Sequence, residues 1–239
     1  MEESTKQILT KLHALVASYS MPENANKLIG SGEVTVLCGV TASGKNTIAN
    51  YLVNHGNYSH VVSHTTRQPR ENHAILEQDG KEYWFVTPGQ MLELVERHAF
   101  IEVKAIHGET CYGTSISSVK RVIDAGLHPV MEIDVQGALE LTEAVPKLRP
   151  LFILPPSFDV WMERLGTRGF LSDGERERRL RSASMEIETA LDHPAFILTV
   201  NHEVEITAAE IINGVDTSPG SQAEHRQLAE SLLESIRNI

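Results

Sequence analysis

The sequence has few cysteines, few aromatic residues and no excess of positive charge. It contains two cysteines, Cys38 and Cys111, and 5% of its 239 residues are aromatic. Two cysteines cannot form a disulfide framework, and a buried thiol is the expected state of Cys38 in its apolar strand. The net charge of −11 at pH 7 disfavours a general binder of nucleic acid or of membrane surfaces, which needs excess lysine and arginine.

Long apolar runs and metal-binding spacings are also missing. No run approaches the roughly 18 residues of a membrane span, and Glu2 and Glu3 stand where a leader peptide would carry basic residues. His60 and His64 are four apart in a strand-like stretch, so their side chains do not converge on one metal ion. We therefore expect a cytoplasmic protein with no membrane, nucleic-acid or zinc partner, and the oligomeric state stays open.

The chain has enough apolar residues, 41%, to bury a core. Apolar strands alternate with amphipathic helices, which predicts an α/β fold with a parallel sheet covered by helices. The predicted strands are 34–38, 61–62, 83–86, 100–106, 130–134, 151–154 and 196–200. The predicted helices are 4–19, a helix from 45, 89–97, 115–124, 137–144, 158–165, 173–191, 204–213 and 222–239, with breaker-rich segments at 21–32 and 216–221.

A glycine-rich loop follows the first of these strands. Residues 39–47 have the spacing G-x4-G-K, in which glycines permit a tight turn, backbone N–H groups converge on phosphate, and Lys45 adds positive charge. The hydroxyl that usually follows the lysine is replaced by Asn46, with Thr47 next. An ordinary strand-to-helix turn is the alternative. The candidate ATP-binding residues are Gly39, Val40, Thr41, Ala42, Ser43, Gly44, Lys45, Asn46 and Thr47.

Two groups of arginines suit anionic ligands. Arg67 and Arg70 flank Pro69, which fixes the backbone that aims their guanidinium groups, although two surface arginines in a solvated turn are the alternative. Arg164 and Arg168 lie one helical turn apart, where like charges repel unless an anion lies between them. The nearby Arg176, Arg178 and Arg181 alternate with glutamates and are interpreted as a charged, exposed helix face.

Three acidic residues are candidates for ligand recognition. Glu102 lies among apolar residues, and Glu132 and Asp134 stand at the end of a predicted strand, where parallel sheets bind ligands. Being two apart in that strand, Glu132 and Asp134 would share a face. The structural alternatives are an edge-strand charge for Glu102 and a salt-bridged strand end for Asp134.

Taken together, residues 33–213 resemble guanylate kinase. The resemblance is carried by the loop at 39–47, S-x-T-T-R-x-P-R at 63–70, F-I-E through Y-G-T at 100–114 and E-I-D-x-Q-G at 132–137. The arginine motifs R-L-x-x-R-G at 164–169 and R-R-L at 178–180 add a fifth segment. The coincidence of these motifs in order carries the resemblance, because each alone is weak.

The resemblance implies a P-loop kinase fold in three parts. A core with a central parallel sheet would comprise residues 33–55, 115–157 and 192–214, with an inserted GMP-binding subdomain at about 58–114 and a helical lid at about 158–191. These parts make up a kinase domain of residues 33–214. Residues 1–32 would form an N-terminal helical extension, and residues 215–239 a linker with a C-terminal helix.

The resemblance also implies the chemistry and its residues. The expected reaction is transfer of phosphate from ATP directly to GMP, and also to dGMP, in purine nucleotide metabolism. Mg²⁺ would be held by ATP phosphates and water rather than by side chains. The implied catalytic residues are Lys45, Arg164, Arg168 and Arg179, and Asn201 joins the ATP-binding set. The implied GMP-binding residues are Ser63, Arg67, Arg70, Tyr83, Glu102, Tyr112, Thr114, Glu132 and Asp134.

Some positions depart from the family pattern, and two rival functions stay open. Ala42 stands where glycine is common, and the segment between Arg70 and Tyr83 is longer than usual. One rival is an inactive guanylate-kinase-like interaction module, which typically loses the loop lysine and the lid arginines. The other is a ribose bisphosphate kinase of the same fold, which would not need Ser63, Glu102 and Thr114 to read a base.

Overall fold

The computed structural model describes residues 3–30, 34–72, 75–106, 110–166 and 173–239. The chain divides into two compact units. We call Met1–Glu33 with Val61–Pro129 the inserted unit, and Val34–His60 with Val130–Ile239 the core unit. The predicted boundaries of a GMP-binding subdomain and of a lid stay predictions.

The elements alternate along much of the chain, as the apolar pattern predicted. The helices are α1 (Glu3–Ala17), α2 (Glu23–Ile29), α3 (Lys45–His55), α4 (Pro88–Glu96), α5 (Ile116–Asp124), α6 (Val135–Ala144), α7 (Phe158–Gly166), α8 (Asp173–Asp192), α9 (Val204–Asn213) and α10 (Pro219–Arg237). The strands are β1 (Thr35–Cys38), β2 (Tyr58–His60), β3 (His64–Thr65), β4 (Glu71–Asn72), β5 (Ile75–Leu76), β6 (Trp84–Phe85), β7 (Phe100–Ile106), β8 (Thr110–Ser115), β9 (His128–Glu132), β10 (Leu151–Leu154) and β11 (Ile197–Val200).

The core unit contains a five-stranded sheet in the order β11-β10-β1-β9-β2. Strand β1 pairs in parallel with β10 and β9, and β10 pairs in parallel with β11. Alternate residues of β10 enter different apolar clusters: Phe152 and Leu154 pack with α6, α7, α8 and α10, whereas Leu151 and Ile153 pack with α3 and α9. Such burial of both faces is typical of parallel sheets and confirms the predicted helix-flanked sheet.

The C-terminal helix protects the outer edge of this sheet. It begins at Pro219, with the Ser218 hydroxyl as its N-cap, so part of the predicted linker is helical. The Gln222 side chain accepts a hydrogen bond from Leu198 N (3.0 Å) and donates one to Leu198 O (3.2 Å). Because β11 ends the sheet, this amide replaces a missing strand partner.

The inserted unit contains the sheet β6-β3-β8-β7. Helix α1 packs against α4 and β7, and Leu12 and Val16 share an apolar cluster with Phe100 and Val103. The N-terminal helix is thus part of this unit's core.

Several local predictions in the inserted unit and at its borders were wrong. The breaker-rich segment 21–32 contains α2, whose N-cap is Pro22 and whose first turn carries Glu23, an acid that is favourable at a helix N-terminus. No strand covers 61–62 in the described residues, because β2 ends at His60. Strand β8 was missed because Gly113 suggests a turn; there a Cβ would lie 2.9 Å from the Phe100 ring, so glycine is needed for packing.

Both cysteines are buried free thiols. Burial raises the pKa of Cys111 to about 11, and burial likewise raises the pKa of Cys38. Both are therefore protonated at neutral pH. Among the described helices, none is both long and apolar enough to cross a bilayer.

The edge contact of Gln222 predicts a stability effect. Gln222→Ala should lower the free energy of unfolding by about 1–3 kcal/mol, because the N–H of Leu198 loses its side-chain acceptor, whereas Leu198 O keeps its contact with His225 Nδ1 (2.7 Å). Urea denaturation followed by circular dichroism measures this. Gln227→Ala is the matched control on an exposed face of α10. Equal stability of the two variants would contradict the edge role.

Candidate functional site

The glycine-rich loop joins β1 to α3 in the core unit. Gly39, Ala42 and Gly44 have φ angles of 131°, 65° and 100°, and Gly44 is the N-cap of α3. Ala42 thus adopts the left-handed conformation that glycine adopts freely, at a cost of about 1–2 kcal/mol. The substitution noted in the sequence therefore leaves the loop strained at one position while α3 still begins at Lys45.

The carbonyl groups of this loop are held by side chains from three elements. Lys45 Nζ donates to Gly39 O (2.5 Å) and Val40 O (2.9 Å). Trp161 Nε1 of α7 donates to Thr41 O (2.8 Å), and Asn201 Nδ2, which follows β11, donates to Ser43 O (2.8 Å). These hydrogen bonds fix the loop at the start of α3, where anions are favoured.

Arg164 lies beside the loop. Its Nη1 and Nη2 atoms both donate to Asn201 O at 3.2 Å, and Nη2 also donates to His202 O (3.3 Å). A guanidinium group next to the phosphate loop suits phosphate oxygens, which it can bind with two parallel hydrogen bonds. Arg164 and Asn201 thus both lie at the loop, and their roles in catalysis and ATP binding stay predictions.

The other predicted arginines have different environments. Arg168 lies outside the described residues. Arg179 Nε donates to Glu175 Oε1 (2.8 Å), one turn earlier in α8. Arg178 and Arg181 pair with Glu175 and Glu177 of the same helix. The last two agree with a charged, exposed helix face, and a catalytic role of Arg179 stays a prediction.

The two acids after the central strand have distinct positions. Strand β9 ends at Glu132, two residues before the predicted end. Glu132 Oε1 accepts a hydrogen bond from Asn46 Nδ2 (3.4 Å), so it is close to the start of α3. Asp134 is the N-cap of α6, where Oδ1 accepts from Gly137 N (2.6 Å). Both acids belong to the core unit, whereas the other predicted GMP-binding residues belong to the inserted unit.

The described residues contain no group of three or more His, Cys, Asp and Glu side chains arranged to hold a metal ion. The Glu132 carboxylate nevertheless lies near the start of α3, where its Oε1 accepts from Asn46 Nδ2 (3.4 Å) while Asn46 Oδ1 accepts from Asn50 Nδ2 (3.1 Å). Oxygen ligands are those that Mg²⁺ prefers, and Mg²⁺ usually keeps several waters and binds substrate phosphates. The Glu132 carboxylate therefore fits a magnesium ion carried by a nucleotide.

A third carboxylate, Glu186 of α8, was not identified in the sequence. Burial raises its pKa, a hydrogen bond from Ser182 and the charge of Lys45 oppose this, and the charge of Asp134 raises the pKa further. The Glu186 carboxylate is therefore within electrostatic range of the loop lysine and of the acid that caps α6.

In the inserted unit, Arg67 is surrounded by predicted partners. Its Nε donates to Tyr112 OH (3.1 Å), and its Cζ lies 5.3 Å from the centre of the Tyr83 ring. The Tyr83 and Tyr112 rings meet edge to face, with centroids 5.7 Å apart. The structure thus brings together three of the four residues predicted to hold the GMP phosphate. The fourth, Arg70, has an exposed side chain in the same loop.

Glu77 fixes the geometry of both arginines. Its carboxylate pairs with Arg67 through Nη1 (2.9 Å) and Nη2 (3.1 Å), and both side chains are only 9% exposed. Oε2 also accepts from Arg70 N (2.8 Å). The hydrogen bond with Arg67 holds the pKa of Glu77 below its usual range, and the same bond raises the pKa of Arg67.

A second network joins the residues predicted to read the base. Thr114 donates to Glu102 Oε1 through its N (3.0 Å) and its Oγ1 (2.6 Å). Ser63 Oγ lies 3.0 Å from Thr114 Oγ1, and because the Thr114 hydroxyl donates to Glu102, Ser63 is the donor in this contact. The three side chains therefore form one directed chain that ends on a carboxylate.

Known proteins are similar to this chain in sequence and in fold. The family model for guanylate kinase matches residues 31–215. The guanylate kinase of Neisseria gonorrhoeae is 34% identical over 205 residues, covering 85% of this chain and 97% of that protein. The guanylate kinase of Neisseria meningitidis is 39% identical over 161 residues, covering 67% of this chain and 76% of that protein.

The chain belongs to the guanylate kinase family. A crystal structure of guanylate kinase from Anaplasma phagocytophilum agrees with this, with a TM-score of 0.55 and 28% identity, covering 86% of this chain and 96% of that chain. The helices α1, α2 and α10 lie outside the part that matches the guanylate kinase model.

Two acids of this guanylate kinase family member, Glu77 and Glu186, were not identified from the sequence. Glu77 lies in the lengthened segment after Arg70. The spacing of residues in this segment does not reveal that Glu77 forms an ion pair with Arg67, ten positions earlier in the chain. Glu186 lies in a helix with many charges, and the sign of its partial burial is that Ala183 and Ala190, three residues before and four after on the same helix face, enter the core.

The ion pair of Glu77 predicts a pH effect on stability. Because the pKa of Glu77 is lowered by folding, its contribution is present above the ordinary glutamate pKa of about 4.3 and is lost as the pH falls through the folded value. Glu77→Gln should therefore cost about 1–3 kcal/mol at pH 7, and the difference from wild type should shrink below about pH 4.

Urea denaturation between pH 3 and pH 7 measures the difference. Glu23→Gln, an exposed residue with a surface ion pair on α2, is the control and should change stability by less than about 1 kcal/mol. A pH-independent difference between wild type and Glu77→Gln would contradict the ionic interpretation.

Proposed function

We propose that the chain transfers the terminal phosphate of ATP to GMP, and also to dGMP, by direct in-line displacement. Each unit offers one set of groups suited to an anionic substrate: the loop with Lys45 and Arg164 in the core unit, and Arg67 with its tyrosines in the inserted unit. We also infer a cytoplasmic location, where both nucleotides are present.

The observation that carries the proposal is the directed chain Ser63–Thr114–Glu102. Two donors from Thr114 on one oxygen hold the Glu102 carboxylate in a fixed orientation. Guanine presents N1–H and N2–H donors side by side, which a carboxylate can accept together, whereas adenine lacks both. A site built for these hydrogen bonds rejects a base without them, because its polar groups are left unpaired.

The phosphate of GMP would be bound by Arg67, Arg70, Tyr83 and Tyr112. Among the described residues, four of the five N–H donors of Arg67 are used by Tyr112, Gln68 and Glu77, so its guanidinium orientation is set before substrate arrives and the second Nη2 N–H is the donor left for phosphate. A donor set held in advance loses little conformational freedom on binding, which favours affinity.

On the donor side, Lys45, Arg164 and Arg179 would neutralise charge on the ATP phosphates, and Arg168 is proposed in the same role from its motif. A Mg²⁺ ion held by ATP phosphates and water, with Asn46 and Glu132 near it, would supply charge neutralisation when bound. Phosphoryl transfer needs chiefly alignment and charge stabilisation, so no phosphorylated side chain is required.

The rivals have less support. An inactive interaction module does not require the loop lysine or an arginine beside the loop. This chain has both, since Lys45 donates to carbonyl groups of the loop and Arg164 lies beside it. A kinase of sugar phosphates binds no base, so it does not require an acid such as Glu102 that is oriented by the hydroxyl groups of Thr114 and Ser63. The curated relatives reported above are guanylate kinases rather than sugar phosphate kinases.

Removal of the loop ammonium group tests the ATP side. Lys45→Met should lower kcat by at least about a hundredfold, because one charge-stabilising donor is lost from the transferring phosphate. Coupled release of ADP measures the rate. Lys27→Met, at a side chain 78% exposed on α2, is the matched control and should retain full activity. Retention of activity by Lys45→Met would refute the role of the loop.

Removal of the Glu102 charge tests the acceptor side. Glu102→Gln should raise KM for GMP by about tenfold or more while KM for ATP stays unchanged, since a neutral amide cannot accept both guanine donors. The same ADP-release assay with GMP, dGMP, AMP and UMP gives the acceptor preference.

Glu93→Gln is the matched control for this acceptor test, because Glu93 is an exposed acid in the same unit. Unchanged KM for GMP in Glu102→Gln would reject base reading by this residue. Turnover of ribose phosphates but not GMP by the wild type would favour the sugar phosphate kinase.

A further inference from the structure

Tyr19, between α1 and α2, makes an unusual contact with the strand that carries Glu102. Its hydroxyl donates to Phe100 O (2.8 Å) and accepts from Phe100 N (3.0 Å). One side chain therefore satisfies both backbone groups of one residue, although the two residues are 81 positions apart. The contact lies within the inserted unit.

The contact closes an exposed strand edge. In the described part of the chain, β7 is the outer strand of its sheet, so the outward backbone groups of Phe100 have no neighbouring strand there. Phe100 itself is fully buried, and an unpaired N–H or C=O at a buried position is costly. The Tyr19 hydroxyl therefore substitutes for a strand partner at the first residue of β7.

The same point in β7 is irregular. Phe100 pairs with Ser115 and Glu102 pairs with the adjacent Thr114, so the register shifts by one residue between them. Such a bulge re-aims the side chains that follow it, and its geometry depends on how its flanking residues are held. Glu102 is the first paired residue after this bulge.

We propose that Tyr19 is a positioning residue for guanine recognition, acting through Phe100 and the bulge to aim the Glu102 carboxylate. The inference rests on the proposed function of Glu102. Apolar packing supports it, because Leu12 and Val16 of α1 share a cluster with Phe100 and Val103 and so hold the N-terminal segment on β7. Helix α1 lies outside the part of the chain that matches the family model.

The distinction between positioning and simple stabilisation lies in which kinetic constant changes. Loss of a positioning contact shifts the orientation of Glu102, so it raises KM for GMP and weakens the preference for GMP over AMP. It does not change KM for ATP, since the loop around Lys45 belongs to the core unit. General loss of stability would lower the active fraction and reduce kcat for all substrates without changing KM.

Tyr19→Phe removes the hydroxyl and keeps the ring. We expect KM for GMP to rise about two- to tenfold, the range given by one hydrogen bond, with a similar loss of preference for GMP over AMP. Ser18→Ala is the matched control, since it removes a neighbouring hydroxyl that bonds only to carbonyls of its own helix in the described structure. It should leave both constants unchanged.

A double-mutant cycle separates this inference from the proposed function. If Tyr19 acts through Glu102, then Tyr19→Phe should have little further effect on KM for GMP in the Glu102→Gln background. Fully additive effects would overturn the inference, as would an unchanged KM in Tyr19→Phe when Glu102→Gln raises it. An unchanged KM in Glu102→Gln would instead refute base reading itself, and the role of Tyr19 would fall with it.

Discussion

Backbone groups that leave a regular hydrogen-bonding ladder must find another partner, and this constraint shapes each functional part of the molecule. The carbonyls of the phosphate loop are bound by Lys45, Trp161 and Asn201. The open edges of the two sheets are bound by Gln222 and Tyr19. Distant side chains thus determine the shape of the loops and strand ends that carry the proposed substrate-binding groups.

The cationic groups are held in place by acceptors of this chain. With a net charge of −11, the protein can attract nucleotides only through local positive groups. Arg67 is oriented by Glu77 and Tyr112, and Arg164 by the carbonyl of Asn201. Donors fixed before the reaction stabilise developing charge without having to reorganise, which is the main source of catalysis in phosphoryl transfer.

Much of the fold and part of the site could be predicted from local patterns. The burial of β10 on both faces and the start of α3 at Lys45 follow from periodicity and glycine spacing. The missed features depend on contacts between residues far apart in sequence. Tyr19 contacts Phe100, which is 81 positions away in the sequence. The ion pair of Glu77 with Arg67 depends on how the loop between them folds, and that loop has no helical or strand periodicity. The helix α2 was not predicted, because Pro22 was interpreted as a helix breaker, whereas it stands at the N-cap.

The state of the two thiols has a practical consequence for measuring domain motion. Cys38 and Cys111 are fully buried, and burial keeps both protonated at neutral pH. Thiol-specific reagents require an accessible thiolate, so both native residues are protected from labelling. Two cysteines introduced on exposed helices, one in each unit, would accept a fluorophore pair with the native thiols still in place. Energy transfer between the dyes would then report whether the separation of the units changes when nucleotides bind.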